Sequence, residues 1–236
     1  MPTHFEPPAL RDCELPGVRV AWTVLDDTRF REAELDACLS SDERERARRF
    51  RFEHDRRRFV AAHALLRGLL ARELGVAAAG VPIVADRFGK PRLAAATGAG
   101  LAFNMSHTGG RALYALARDV ELGVDAEALK PLAHMPRLAR DVFSPDELAE
   151  WEALPEAQRV LGFFGGWTRK EAVVKALGRG LDYPLGGFSV SLTPGRAAEL
   201  LHLPADAGPL SAWSMEAFSP EPGYVAAVVA RRQPAR

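Results

Sequence analysis

The sequence predicts an α+β chain built from two similar subdomains, and three observations lead there. Of its 236 residues 47% are hydrophobic, enough for one large core or two small ones. Segments with the helical period of about 3.6 residues alternate with short runs of period two. The order strand, helices, strands occurs twice, once on each side of Arg118 and Asp119.

In the first half, residues 18–25 alternate as a strand. Ser41 and Asp42 offer an N-cap for a helix that runs through an arginine-rich stretch to about Phe50. A longer helix covers about 54–74 and stops at Gly75, the residue type that most readily takes a left-handed C-cap. Strand-like residues 81–85 and the turn Phe88-Gly89-Lys90-Pro91 come next, followed by strands at 101–105 and 112–117. Residues 94–100, rich in small side chains, read as a loop. The second half opens on a strand at 121–127. It continues through helices at 131–140, 145–153 and 156–177, and closes on strands at 188–192, 212–218 and 224–230. Subdomains are therefore expected at 1–118 and 119–236, with a cleft between them and residues 121–127 beside it.

Lys plus Arg and Asp plus Glu number 31 each, so no global field recruits nucleic acid or an acidic membrane, and any anion site must come from local clustering. Cys13 and Cys38 sit in no CxxC or Cys/His pattern, which fits reduced thiols. The first residues lack a signal pattern, and no apolar run reaches the ~18 residues of a membrane span. A cytoplasmic protein is expected.

The chemistry concentrates in two segments. In Gly123-Val124-Asp125-Ala126-Glu127, two carboxylates one residue apart on a strand share a face. In Trp167-Thr168-Arg169-Lys170-Glu171-Ala172-Val173-Val174-Lys175, Glu171 and Lys175 stack four apart on a helix. Glu171 also falls in the stripe of Phe163, Phe164, Trp167, Val174 and Leu177, where a carboxylate is costly unless it is paired. Two readings stay open: an ion pair along the helix, or three carboxylates around Mg²⁺ with a lysine on a phosphate. Phe103-Asn104-Met105-Ser106-His107-Thr108-Gly109-Gly110 reads as a strand passing into a tight polar turn, whose Ser106, His107 and amides could hold a phosphate. No Gly-x-Ser-x-Gly elbow accompanies Ser106, which argues against a serine hydrolase. From Arg44 to Arg58, eight arginines interleave with Glu45, Glu53 and Asp55, mostly as a solvated face, although a few could clamp a phosphate. Phe50, Phe52 and Phe59 among them also permit base stacking in a nucleic-acid-binding module, although helical spacing favours core positions.

Arg-Arg-Phe at 48–50, Gly-Lys-Pro at 89–91, Asn-Met-Ser-His at 104–107, Gly-Val-Asp-Ala-Glu at 123–127 and Trp-Thr-Arg-Lys-Glu-Ala-Val-Val-Lys-Ala-Leu-Gly-Arg-Gly-Leu at 167–181 occur in one order. That order resembles the Sfp-type 4′-phosphopantetheinyl transferases over roughly residues 15–230. The resemblance implies a pseudo-twofold α+β fold with its active site between the halves. It further implies transfer of the 4′-phosphopantetheine arm of coenzyme A to a serine of an apo acyl or peptidyl carrier protein, releasing adenosine 3′,5′-bisphosphate. Carriers of polyketide, nonribosomal peptide or fatty-acid synthases are the implied partners, with neither nucleic acid nor membrane, and the chain is expected to be a monomer. The family's magnesium carboxylates fall on Asp125, Glu127 and Glu171. Its coenzyme A contacts fall on Arg46, Arg58, Lys90, Ser106, His107, Asp125 and Lys175, with Glu171 and Lys175 as the catalytic pair.

Two positions depart from the family pattern. Glu43 stands where a basic residue is frequent, so the 3′-phosphate clamp is expected to be thinner or rebuilt from Arg44 or Arg49; Ala126 replaces a bulkier aliphatic residue. The competing readings are another Mg²⁺-dependent phosphotransferase or phosphohydrolase on the same carboxylates, and the nucleic-acid-binding module.

Overall fold

A computed structural model describes residues 6–94, 98, 100–180 and 183–232. Four residues of the expected 94–100 loop, 95–97 and 99, and Leu181 of the last motif lie outside the described residues.

The first half begins with a short strand, β1 (Arg11–Asp12), and β2 (Arg19–Val24). Helices α1 (Glu32–Asp36), α2 (Ser41–Arg48) and α3 (Glu53–Leu74) follow, then the hairpin β3 (Ile83–Ala85) and β4 (Pro91–Leu93), then β5 (Leu101–Thr108) and β6 (Arg111–Arg118). The second half holds β7 (Val120–Ala128), α4 (Met135–Val142), α5 (Pro145–Ala153), α6 (Glu156–Leu177), the short pair β8 (Ser189–Val190) and β9 (Leu200–His202), and the strands β10 (Trp213–Phe218) and β11 (Tyr224–Arg232). One sheet has the order β1-β2-β6-β5 and the other β10-β11-β7. Setting β1 aside, each half is a strand, a 22-residue helix and two more strands, with the last strand central: β2-β6-β5 in one and β7-β11-β10 in the other. Both long helices end on a glycine at φ 67°, Gly75 and Gly178. The pseudo-twofold α+β arrangement is thus visible in the topology.

Strand periodicity builds the layers. On β6, Ala112, Tyr114 and Leu116 face α3, and the Tyr114 hydroxyl donates to the Ala62 carbonyl of that helix at 3.0 Å. The alternate residues Leu113, Ala115 and Ala117 meet Leu122, Val124 and Ala126 of β7 and Ala226, Val228 and Ala230 of β11. The other face of β11, with Ala227 and Val229, packs on Ala172, Val173 and Ala176 of α6. The order is helix, sheet, sheet, helix, and the central layer is shared by both halves. Asp125 and Glu127 have the parity of Ala227 and therefore face α6.

The structure differs from expectation at short elements. β1 and α1 are too brief to show a period, and the strand expected at 188–192 shrinks to two residues beside an irregularity in its pairing. α4 starts at Met135, not 131, with Pro136 in its first turn, where a missing N–H costs nothing. One difference concerns the site: Ser106, His107 and Thr108 are strand, paired with Leu113, Ala112 and Arg111, and the turn begins only at Gly109 and Gly110. No helix among the described residues is long and apolar enough to cross a membrane.

Gly123 sets how closely α6 approaches β7. A Cβ there would lie 2.0 Å from the Ala172 carbonyl oxygen and 2.5 Å from the Ala176 nitrogen, both backbone atoms that cannot swing aside. Gly123→Ala is therefore expected to destabilise the fold by about 3 kcal/mol, read as a lower urea midpoint at unchanged slope.

Candidate active site

β5 and β7 are edge strands of different sheets, and side chains join them. Asn104 Oδ1 accepts from the Val124 N–H at 3.0 Å. Ser106 Oγ donates to Asp125 Oδ1 at 2.7 Å, and Thr108 Oγ1 donates to Glu127 Oε2 at 2.9 Å. The spacing Asn104, Ser106, Thr108 puts all three on one face of β5, and the two hydroxyl pairs keep the same sequence offset of 19, so the strands run in parallel.

From α6, Lys175 Nζ reaches Asp125 Oδ1 at 2.7 Å and Ser106 Oγ at 3.2 Å. Lys175 thus pairs across to the strand, and no ion pair joins it to Glu171 among the described residues. Both donors use one oxygen of the buried Asp125; its Oδ2 is buried with no hydrogen-bond partner. A buried carboxylate oxygen left bare is costly and marks a place for a cation or donor. Burial first, then the charge of Asp125, holds the Glu171 carboxyl above its usual range; Lys175 opposes that shift and Glu127 adds to it. Glu127 is likewise raised, by burial and then by Asp125, against the Thr108 hydrogen bond, Lys130 and Lys175. Three carboxylates in one another's field outnumber the two lysines, Lys130 and Lys175, that oppose them. Among the described residues no three His, Cys, Asp or Glu side chains stand at metal-ligand spacing, yet the donor set is hard oxygen and includes the bare Oδ2, which suits a hard divalent cation.

Along β5 the neighbour of Ser106 points elsewhere. Solvent reaches His107, but nearby protein desolvates its imidazole and lowers its pKa, and His63, Lys175 and Arg46 lower it further. His107 and Thr108 border a pocket of about 220 Å³ that Leu25, Phe50, Asp55, Arg58, Phe59, Gly109 and Gly110 complete. The guanidinium of Arg46 lies over the Phe59 ring, 5.2 Å from its centroid, exposed and with no ion pair among the described residues.

Residues 121–229 match the family described as the 4'-phosphopantetheinyl transferase superfamily, and residues 27–118 match the one described as 4'-phosphopantetheinyl transferase, N-terminal. The 4'-phosphopantetheinyl transferase HetI of Nostoc sp. is 37% identical over 88% of this chain and 85% of its own length. This chain belongs to the 4′-phosphopantetheinyl transferase superfamily. The putative 4'-phosphopantetheinyl transferase slr0495 of Synechocystis sp. is 33% identical over 76% of this chain and 71% of its own length. The 4'-phosphopantetheinyl transferase Sfp of Bacillus subtilis is 28% identical over 81% and 82%. The family and the transferase class expected from the sequence both stand.

Within this transferase, Asp125, Glu127, Glu171, Lys175 and Ser106 come together, while His107 and Arg58 line the pocket beside them and Arg46 lies over the ring of Phe59, which also lines it. Arg58 is not a free cation: its guanidinium grips Asp26 through three contacts of 2.6 to 3.1 Å. Lys90 stands apart. It is buried, its ammonium donates to the Leu122 and Ala176 carbonyls at 3.0 Å each, and it lies 3.4 Å from Glu121. Desolvation pulls its pKa down to about 8. Thr168, Arg169 and Lys170 of the tryptophan motif also turn inward; Arg169 holds the Ser191 carbonyl, and Lys170 pairs with Glu147 at 2.7 Å. The sequence segment around Ser106 and His107 assigns Thr108 no role by itself. The repeated spacing of two, Ser106 and Thr108 against Asp125 and Glu127, was the available signal.

Glu43, where the family pattern favours a cation, is structural. It closes a capping box with Ser40, accepts from the nearly buried Arg67, and lies 3.1 Å from His63 Nδ1. Arg44 is held by the Asp36 and Leu39 carbonyls, and Arg49 by Glu45. Burial alone would raise the Glu43 pKa, but His63, the Ser40 amide and Arg67 bring it down to about 2. A depressed carboxylate stabilises above its unfolded value and loses that contribution as pH falls. Glu43→Gln should therefore cost about 3 kcal/mol at pH 7, and the gap to the native chain should close as pH drops from about 4.5 to about 2, followed by urea unfolding across that range.

Proposed function

We propose that this chain transfers the 4′-phosphopantetheine group from coenzyme A to a serine of an apo acyl or peptidyl carrier protein, using Mg²⁺ held by Asp125, Glu127 and Glu171. The observation that carries the reading is Asp125: buried, anchored through one oxygen by Lys175 and Ser106, and bare at the other. When bound, Mg²⁺ would neutralise the pyrophosphate and polarise the phosphorus–oxygen bond that breaks.

The residues divide the work. Lys175, fixed by Asp125, offsets charge gathering on the departing oxygen of adenosine 3′,5′-bisphosphate. Glu171 accepts the proton of the attacking serine, directly or through water. His107, Arg46 and Arg58 receive the nucleotide's 3′-phosphate end; a pocket of about 220 Å³ takes one end of coenzyme A and not the whole. Ser106, occupied by Asp125, contributes first by holding that carboxylate. The ammonium of Lys90 is engaged by two carbonyls, so this reading gives its side chain no phosphate.

The wider setting belongs to the same proposal. The halves are subdomains 1–118 and 119–236, a division supported by the two family matches, which meet between residues 118 and 121. Both walls of the site come from one chain, which supports a monomer. The free Cys13 and Cys38 support a cytoplasmic setting, and carriers of polyketide, nonribosomal peptide or fatty-acid synthases are the acceptors proposed for it.

Incubated with coenzyme A, Mg²⁺ and an apo carrier, the chain should add one phosphopantetheine to the carrier's intact mass. An unchanged carrier with hydrolysed coenzyme A would instead indicate a phosphohydrolase. Glu171→Gln should reduce turnover at saturating coenzyme A by about 10²-fold or more, and unchanged turnover would remove it as the base. Lys175→Ala should depress turnover well beyond Arg46→Ala, which should act on coenzyme A affinity; the opposite ranking would overturn this division.

A further inference from the structure

Asp125 and Glu127 are treated alike by β5. Each carboxylate accepts a hydroxyl from the strand opposite, at 2.7 Å from Ser106 and 2.9 Å from Thr108, and each accepts it on one oxygen only. Among the described residues the second oxygen of Glu127, Oε1, receives no hydrogen bond, and that of Asp125 is bare and buried. Two hydroxyls two apart thus hold two carboxylates two apart.

The Thr108 hydroxyl is not needed to build the strand. Its backbone is already paired with Arg111 across the β5–β6 hairpin, and the turn beyond is fixed separately: the Tyr224 hydroxyl donates to the Gly109 carbonyl at 3.3 Å. What the hydroxyl does hold is a long side chain. A half-buried glutamate with no partner keeps rotamer freedom that must be lost when it binds a cation, and a charge-assisted O–H···O⁻ bond removes that freedom beforehand. Serine and threonine carry a short hydroxyl able to donate from a strand, and threonine's β-branch also suits the strand.

We propose that Thr108 is a positioning residue for the metal: its hydroxyl ties down Glu127 Oε2, so that Glu127 presents its other oxygen beside the bare oxygen of Asp125 to a divalent cation. This rests on the proposed function, since it assumes that the carboxylates bind Mg²⁺.

Thr108→Val keeps the shape and the β-branch but not the hydroxyl; Thr108→Ser keeps the hydroxyl. Mn²⁺ binding to the full chain, followed by electron paramagnetic resonance in the presence of coenzyme A, should weaken about tenfold in Thr108→Val and recover in Thr108→Ser, as partners of metal ligands generally behave. The Mg²⁺ concentration for half-maximal transfer should shift in parallel, with turnover at saturating Mg²⁺ much less affected. Thr108→Ala serves if the valine variant does not fold. Native-like Mn²⁺ affinity in the variants lacking the hydroxyl, or a serine variant as weak as they are, overturns the proposal and leaves the proposed function intact. Failure of the unmodified chain to transfer phosphopantetheine under any metal condition overturns the function itself.

Discussion

Everything in this fold depends on how the two sheet edges, β5 and β7, come to lie side by side. Exposed edges carry unpaired amides and carbonyls and invite association with other strands. Here they are set against each other, and Asn104, Ser106 and Thr108 supply the cross-links. Apolar packing of Leu113, Ala115 and Ala117 against β7 and β11 brings the sheets together. That packing is non-directional, so the polar ladder selects one register among several that would bury similar area. Register in turn decides where Asp125 and Glu127 stand.

The helix side is equally constrained. Gly123 lets α6 press against β7, and Lys90 ties the Leu122 carbonyl to the Ala176 carbonyl, so strand and helix are held together one residue from Lys175. Lys170 and Arg169, adjoining Glu171, are engaged from the opposite side by Glu147, Ser191 and the Leu185 and Phe188 carbonyls. Short polar contacts on both sides of the helix leave little room for rotation. Such restraint matters when an active-site group must be placed within a fraction of an ångström.

Much of this could be read from residue order. The two long helices, their glycine stops and the strand carrying Asp125 and Glu127 follow from periodicity and caps, and the element order gave the doubling. Local pattern is silent where a side chain has two possible partners. Lys90 on a rigid turn has the look of an anion ligand, yet its ammonium satisfies backbone carbonyls that no local pattern reveals. Arg58 and Glu43 find partners, Asp26 and Arg67, 32 and 24 residues away in sequence. Ser106 to Thr108 resembled a turn because their polarity belongs to a contact between sheets, invisible without the partner strand.

The doubling has a consequence for stoichiometry. Topology makes β2 the counterpart of β7, yet β2 reads Arg-Val-Ala-Trp-Thr-Val and carries no acid at all. Two identical subunits placed about a true axis would repeat every side chain at both seams and so hold two sites or none. Tandem halves in one chain escape that rule: one seam was free to collect carboxylates while its counterpart kept apolar bulk. Among the described residues the carboxylates thus gather at the seam of β5 and β7 and not on β2, and the proposed transfer would engage one acceptor serine per turnover.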